Sequence, residues 1–142
     1  MLTERDPLQG PNEHQACVDE VRRYVRAYAD QPLNRKLLAD VAGFSVPHLH
    51  RIFTATTGES VVSYVRRMRM LRAGRKLRMG AVDIMAVALA AGYASHAAFS
   101  KAFKQQFGLS PSEFRQLDCA AATALLRRIE THEDHAHQYP DR

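Results

Sequence analysis

Apolar side chains recur at Val18, Val21, Val25 and Tyr28, with mostly polar or charged residues between them. That spacing lays one stripe along a helix, which should end near Asp30-Gln31-Pro32. Asn34 can cap a short second helix with Leu37, Leu38 and Val41 inward, closed by Gly43. Ser45 caps a third, where Leu49, Ile52 and Phe53 face inward and Gly58 stops the chain. Pro47 falls in its first turn, where a missing N–H does little harm. Ser60 opens a longer helix to about Met79, and a short one follows with Ile84, Val87, Ala88 and Ala91 inward. Ser95 caps a helix carrying Phe99, Ala102, Phe103 and Phe107, and Ser110-Pro111 starts a last short one holding Phe114. The stretch "DCAAATALLRRIE" adds a helix with Leu125, Leu126 and Ile129 able to dock. No stretch alternates with period two, so the expected fold class is all-α.

The long helix is unlike the others. Val61, Tyr64, Val65 and Met68 cluster on one side, while Met70, Ala73, Gly74 and Leu77 fall roughly opposite at about 100° per residue. A helix that changes its buried face halfway should bridge two bundles, each packing on one half. Gly74 costs about 1 kcal/mol relative to alanine in mid-helix, so close packing is expected there.

The pattern also repeats. "GFSVPHLHRIFTATTGESVVSY" and "GYASHAAFSKAFKQQFGLSPSEF" pair Leu49 with Phe99, Phe53 with Phe103, Gly58 with Gly108, Ser60 with Ser110 and Tyr64 with Phe114. Gly43 and Gly92 stand one residue closer than the later pairs, so the second copy carries one extra residue in its turn. Two copies are too few for a solenoid; this is a duplicated small domain. Each copy is a short helix, a glycine-bearing turn and a serine-capped second helix, the helix-turn-helix pattern.

Charge follows the duplication. Gly43 to Gln116 holds 11 Lys/Arg against 3 acids, whereas the flanks hold 9 against 12. From Ser60 to Val82, Arg66, Arg67, Arg69, Arg72, Arg75, Lys76 and Arg78 stand with no acid. Such a footprint suits a polyanion, most simply nucleic acid; a solvated helix face is the plain alternative. No apolar run approaches a membrane span, and the first residues lack the apolar core of a secretory signal. Cys17 and Cys119 match no zinc or disulfide pattern. His132, His135 and His137 with Glu133 and Asp134 lie in a polar tail where no functional metal site is expected. No catalytic constellation or phosphate loop is present, so the reading is a non-enzyme without cofactor or metal.

The segment Leu37 to Arg115 resembles the DNA-binding domain of the AraC/XylS family of bacterial transcription regulators. The resemblance rests on "GYASHAAFSKAFKQQFGLSPSEFR", with its glycine-aromatic pair, its serine, Phe99 and Phe103, and Gly-hydrophobic-Ser-Pro-x-x-Phe-Arg. It implies seven helices in two helix-turn-helix subdomains with both recognition helices on one face of the DNA. By position, the base-facing residues are Val46, Pro47, His50 and Arg51 in the first recognition helix. In the second they are His96, Ala97, Ala98, Ser100 and Lys101. Candidates for phosphate are the helix starts at Ser45, Ser60, Ser95 and Ser110, whose N–H groups lack intrahelical partners, with Arg66, Arg67 and Lys104. Arg51 and Lys101 occupy equivalent places and can each donate to guanine or phosphate. Small side chains in the second copy imply readout there by shape and backbone.

The expected organisation is a flexible N-terminus over 1–13, a first helix-turn-helix subdomain over 14–60 and a bridging helix over 61–79. A second subdomain over 80–117 and a C-terminal helix with polar tail over 118–142 follow. About 30 residues precede the second helix, too few for an added ligand domain. The resemblance is therefore to short stand-alone members of the MarA/SoxS type, cytoplasmic and nucleoid-associated. It implies double-stranded promoter DNA and RNA polymerase as partners, no membrane, and a monomer on DNA. A bridging helix of about 19 residues is roughly 28 Å long, comparable with one DNA turn. One monomer should then read a bipartite site of roughly 20 base pairs. The alternatives are an interaction module that recruits polymerase without reading DNA, and a DNA-binding fragment of a larger ligand-responsive regulator.

Overall fold

A computed structural model describes residues 11–80 and 82–131. The segment before residue 11, read as flexible, and the tail with His132, Glu133, Asp134, His135 and His137 lie outside the described residues. Among the described residues there are eight helices and no strand. They are α1 (Pro11–Ala27), α2 (Arg35–Ala42), α3 (Val46–Thr57), α4 (Val61–Leu77), α5 (Ile84–Ala90), α6 (His96–Phe107), α7 (Pro111–Arg115) and α8 (Cys119–Thr131). The first helix starts at Pro11, inside the stretch read as flexible. The chain divides into two compact units between Arg66 and Arg67, within α4.

In the first unit Val18, Val21, Val25 and Ala29 supply the buried stripe, together with Leu38, Ala39, Ala42, Leu49, Ile52 and Phe53. Tyr28, expected on that stripe, is 46% exposed; its place is taken by Ala29, and the Tyr28 ring lies 4.7 Å from that of Tyr24. α1 ends at Ala27, so the 3.6-residue register no longer governs Tyr28. Likewise α2 buries Leu38, Ala39 and Ala42, leaving Leu37 and Val41 half-buried. Tyr64 of α4 is the anchor: its ring stands 5.6 Å from Phe53, and its hydroxyl accepts a 2.9 Å hydrogen bond from Arg26 Nε. The Arg22 guanidinium sits 5.9 Å from the ring centre, within cation–π range.

The second unit is built on phenylalanines. Phe103 and Phe107 stack at 4.1 Å, and Phe114 of α7 meets them at 5.6 and 5.1 Å. Gly74 of α4 lies against this cluster. A Cβ at that position would stand 2.8 Å from Phe107 Cζ and 3.0 Å from Leu126 Cδ2, so the glycine is what lets α4 approach α6 and α8. α8 is part of this unit, burying Ala122 and Ile129. Arg67 donates from one guanidinium nitrogen to the carbonyls of Ile129 and Glu130 at its end.

Both copies end their first helix alike. Gly43 and Gly92 take φ of +80° and +94°, which only glycine adopts without strain. The next residue reaches back in each, Phe44 N–H to Ala39 and Tyr93 N–H to Ala88, both at 3.0 Å. This is a Schellman closure. In the first copy Gly43 directly caps α2, whereas Ala91 intervenes before Gly92.

Two outcomes follow from the second unit. Gly74→Ala should destabilise the protein by about 1–3 kcal/mol through overpacking, against the roughly 1 kcal/mol that alanine gains in helix propensity; urea unfolding checks the sign. Ending the chain at Leu117 removes the carbonyl partners of a buried arginine, at a cost of at least about 2 kcal/mol. The same unfolding midpoint reads that loss, and an unchanged midpoint would show that α8 contributes nothing.

Candidate nucleic-acid interface

α3 and α6 are twins. Each has 12 residues, a serine N-cap whose hydroxyl accepts the N–H of the third helical residue, and a glycine C-cap in the left-handed region. The bonds are His48 N–H to Ser45 Oγ at 3.3 Å and Ala98 N–H to Ser95 Oγ at 3.1 Å. Identical ends fix an identical frame, so residues 50 apart occupy equivalent positions. Leu49 and Phe53 face the first core, and Phe99 and Phe103 the second.

The opposite faces are open. On α3, Pro47, His50 and Arg51 are exposed and Val46 is half-buried; on α6, His96, Ala97, Ala98 and Lys101 are exposed and Ser100 is half-buried. Each helix therefore brings its candidates together in one row. The row of α3 ends in a cation and an imidazole. In the row of α6, His96 Nδ1 lies 3.4 Å from Ser100 Oγ, so two of its polar groups engage each other, and Lys101 carries the charge. Lys104 is exposed one turn further on. His48 is turned aside, its ring 4.5 Å from Phe44 beneath the turn.

The phosphate candidates do not all survive. Arg67 is 3% exposed and spends its donors on the α8 carbonyls, so it is withdrawn as a phosphate contact. It lies on the face of α4 that must be buried, and no residue-type pattern marks it off from its exposed neighbour Arg66. Ser110 is also corrected, because its own N–H is taken by Glu113 Oε1 at 2.9 Å in a closed capping box. Pro111 has no N–H to offer, and the Glu113 carboxylate already occupies the positive end of the helix. That N–H, the Ser110 hydroxyl and nearby Lys104 hold the Glu113 carboxyl below its ordinary range, the backbone contact foremost. At Ser60 the hydroxyl caps α4 through Ser63 N–H at 3.0 Å, and Glu59 places a carboxylate 3.1 Å from Ser63 Oγ. Ser45 and Ser95 open helices with no acid in the first turn, which leaves both ends attractive to an anion.

Other basic residues have structural work. Arg78 donates to the carbonyls of Phe114, Arg115 and Leu117 at 3.1, 3.0 and 2.8 Å, closing α7. Arg75 pairs with Glu130 at 3.3 Å. Arg115 reaches the Gly80 carbonyl at 3.2 Å. Arg35, the first residue of α2, is exposed and makes no ion pair among the described residues. The sequence reading passed over it, although its place directly after the Asn34 cap marks it as a cation at the start of a helix-turn-helix. Cys17 and Cys119 are free thiols, and the described residues contain no group able to hold a metal. No described helix is long and apolar enough to cross a membrane.

Comparison with known proteins agrees with this geometry. Residues 38–117 match the family model described as a helix-turn-helix domain. The regulatory protein SoxS of Escherichia coli K12 is 33% identical over 102 residues, covering 72% of this chain and 95% of SoxS. An AraC-type transcriptional regulator from Chromobacterium violaceum has a TM-score of 0.68 at 28% identity, covering 71% of this chain and 90% of that one. The DNA-binding domain of the global transcriptional factor AdpA, solved with a target DNA, has a TM-score of 0.63 at 27% identity, covering 75% and 93%. The family match runs over more than half of the chain, and SoxS aligns over nearly all of its own length. With its paired, serine-capped recognition-type helices, the chain thus belongs to the AraC/XylS family of helix-turn-helix, DNA-binding transcription regulators, as a MarA/SoxS-like member.

Proposed function

We propose that this regulator binds promoter DNA as a monomer, with α3 and α6 entering consecutive major-groove segments of a bipartite, non-palindromic site. The observation that carries this is the pair of equal 12-residue helices exposing equivalent rows 50 residues apart. The 17 residues of α4 make a helix about 25 Å long, on the scale of a DNA turn of about 34 Å. The AdpA DNA-binding domain, a structural neighbour, was solved on a target DNA.

In this reading Arg51 donates to guanine and His50 donates or accepts at a base edge. Val46 and Pro47 touch a thymine methyl or sugar. In the second row Lys101 contacts guanine or phosphate, His96 and Ser100 offer polar contacts, and Ala97 and Ala98 only apolar ones. Arg66, Lys104 and the helix starts at Ser45, Ser60 and Ser95 hold phosphates, with Ser60 the weakest because of Glu59. RNA polymerase is the partner through which a DNA-bound monomer changes transcription, and the cytoplasm and nucleoid are its place. A module that met polymerase without reading DNA would not need two matched, acid-free helix faces.

Selection of duplexes from a randomised pool, followed by sequencing, tests the reading. Two conserved blocks about one helical turn apart are expected; one block would mean that α6 only holds the backbone. Arg51→Ala should cost about 1–3 kcal/mol and relax preference in one block only; a uniform loss over all sequences would recast Arg51 as a phosphate contact. Affinity for the selected site should fall steeply with salt. Salt-insensitive binding would favour the interaction module.

A further inference from the structure

A cavity of about 200 Å³ opens in the first unit beside the exposed row of α3. Val46 and Leu49 from α3 and Val61 and Val62 from the start of α4 form its walls. Arg35, His50 and the capping residue Ser60 give it a polar edge, and no acid lines it among the described residues. Two of these residues carry opposite chemistry. Val62 is apolar yet 46% exposed, and Arg35 carries a guanidinium with no ion pair among the described residues.

This chemistry selects a ligand class. Apolar walls gain from displacing water onto a hydrocarbon chain, while a guanidinium meets a carboxylate with two parallel N–H donors. Metal is ruled out by the donor set, since one imidazole and one hydroxyl without carboxylate or thiolate make no divalent-cation site. Volume limits the size. An apolar space of about 150 Å³ accommodates benzene, whereas drug-sized ligands occupy roughly 300–1,000 Å³.

We propose that this cavity binds short-chain monocarboxylates of about four to six carbons, carboxylate toward Arg35 and chain against Val46, Val61 and Val62. Because Val46 and His50 belong both to the cavity and to the exposed row of α3, a bound carboxylate competes with DNA for the first recognition helix. That second statement rests on the function proposed above; the first does not. A ligand of so few atoms in an open site binds weakly, with a Kd on the order of 1 mM.

The probe is hexanoate, titrated into the full chain without DNA and followed by backbone amide NMR. Saturable shifts are expected at Arg35, Val46, His50, Ser60, Val61 and Val62. Acetate, with the head but no chain, and 1-hexanol, with the chain but no charge, should each bind at least about tenfold more weakly. Arg35→Gln removes the head contact, and Val62→Phe fills the cavity from an exposed position that the fold tolerates; each should weaken binding by about tenfold or more. No saturation by about 20 mM, shifts scattered over the surface, or affinity unchanged in both variants overturns the site. On the selected duplex, hexanoate at about ten times its Kd should raise the Kd for DNA about tenfold over the same concentration of acetate, and Val62→Phe should abolish the effect. An unchanged Kd for DNA at demonstrated saturation overturns the competition. A failure to select any duplex would count against the recognition-helix assignment instead, and the amide titration would still decide the cavity.

Discussion

The second unit depends on guanidinium groups that close helix ends. The last carbonyls of a helix have no intrahelical partner and carry partial negative charge. Arg67 of α4 closes α8 and Arg78, just past the end of α4, closes α7, while Arg115 ties back the turn at Gly80. Arginine suits the task because its planar fork holds several donors in fixed directions. These contacts tie α7 and α8 to α4 and its C-terminal end, and Gly74 leaves room there for Phe107 of α6 and Leu126 of α8.

They also change the electrostatic picture. The run from Arg66 to Arg78 looks like one polyanion-binding stripe, yet Arg67, Arg75 and Arg78 have intramolecular partners. Arg69 and Arg72 are engaged as well. Arg66 and Lys76 stay exposed. Much of the local positive charge is therefore cohesive.

The two copies share a frame and differ in equipment. Equal caps place Arg51 and Lys101 at the same point of equal helices, so the difference between copies lies in chemistry alone. The first row holds a planar cation suited to bidentate contact. The second holds a point charge, two alanines, and a histidine engaged with its neighbouring serine.

Local rules were enough to read the helices, caps and turns, because Ser45, Ser95, Gly43, Gly58, Gly92 and Gly108 act within a few residues of themselves. The inward positions of Leu49, Phe53, Phe99 and Phe103 and the resemblance to a regulator family were legible for the same reason. Tyr28 escapes the expected stripe because periodicity does not say where a helix stops. Arg67 and Ser110 pass for phosphate contacts in the sequence because a cation or a cap shows its residue type there but not its partner. Burying Arg67 takes two carbonyls more than 60 residues away, and closing Ser110 takes the rotamer of Glu113. Residue spacing thus determined the local frames and the candidate rows. Which charges face solvent, and where a cavity opens beside α3, depended on contacts between distant parts of the chain, which only tertiary packing decides.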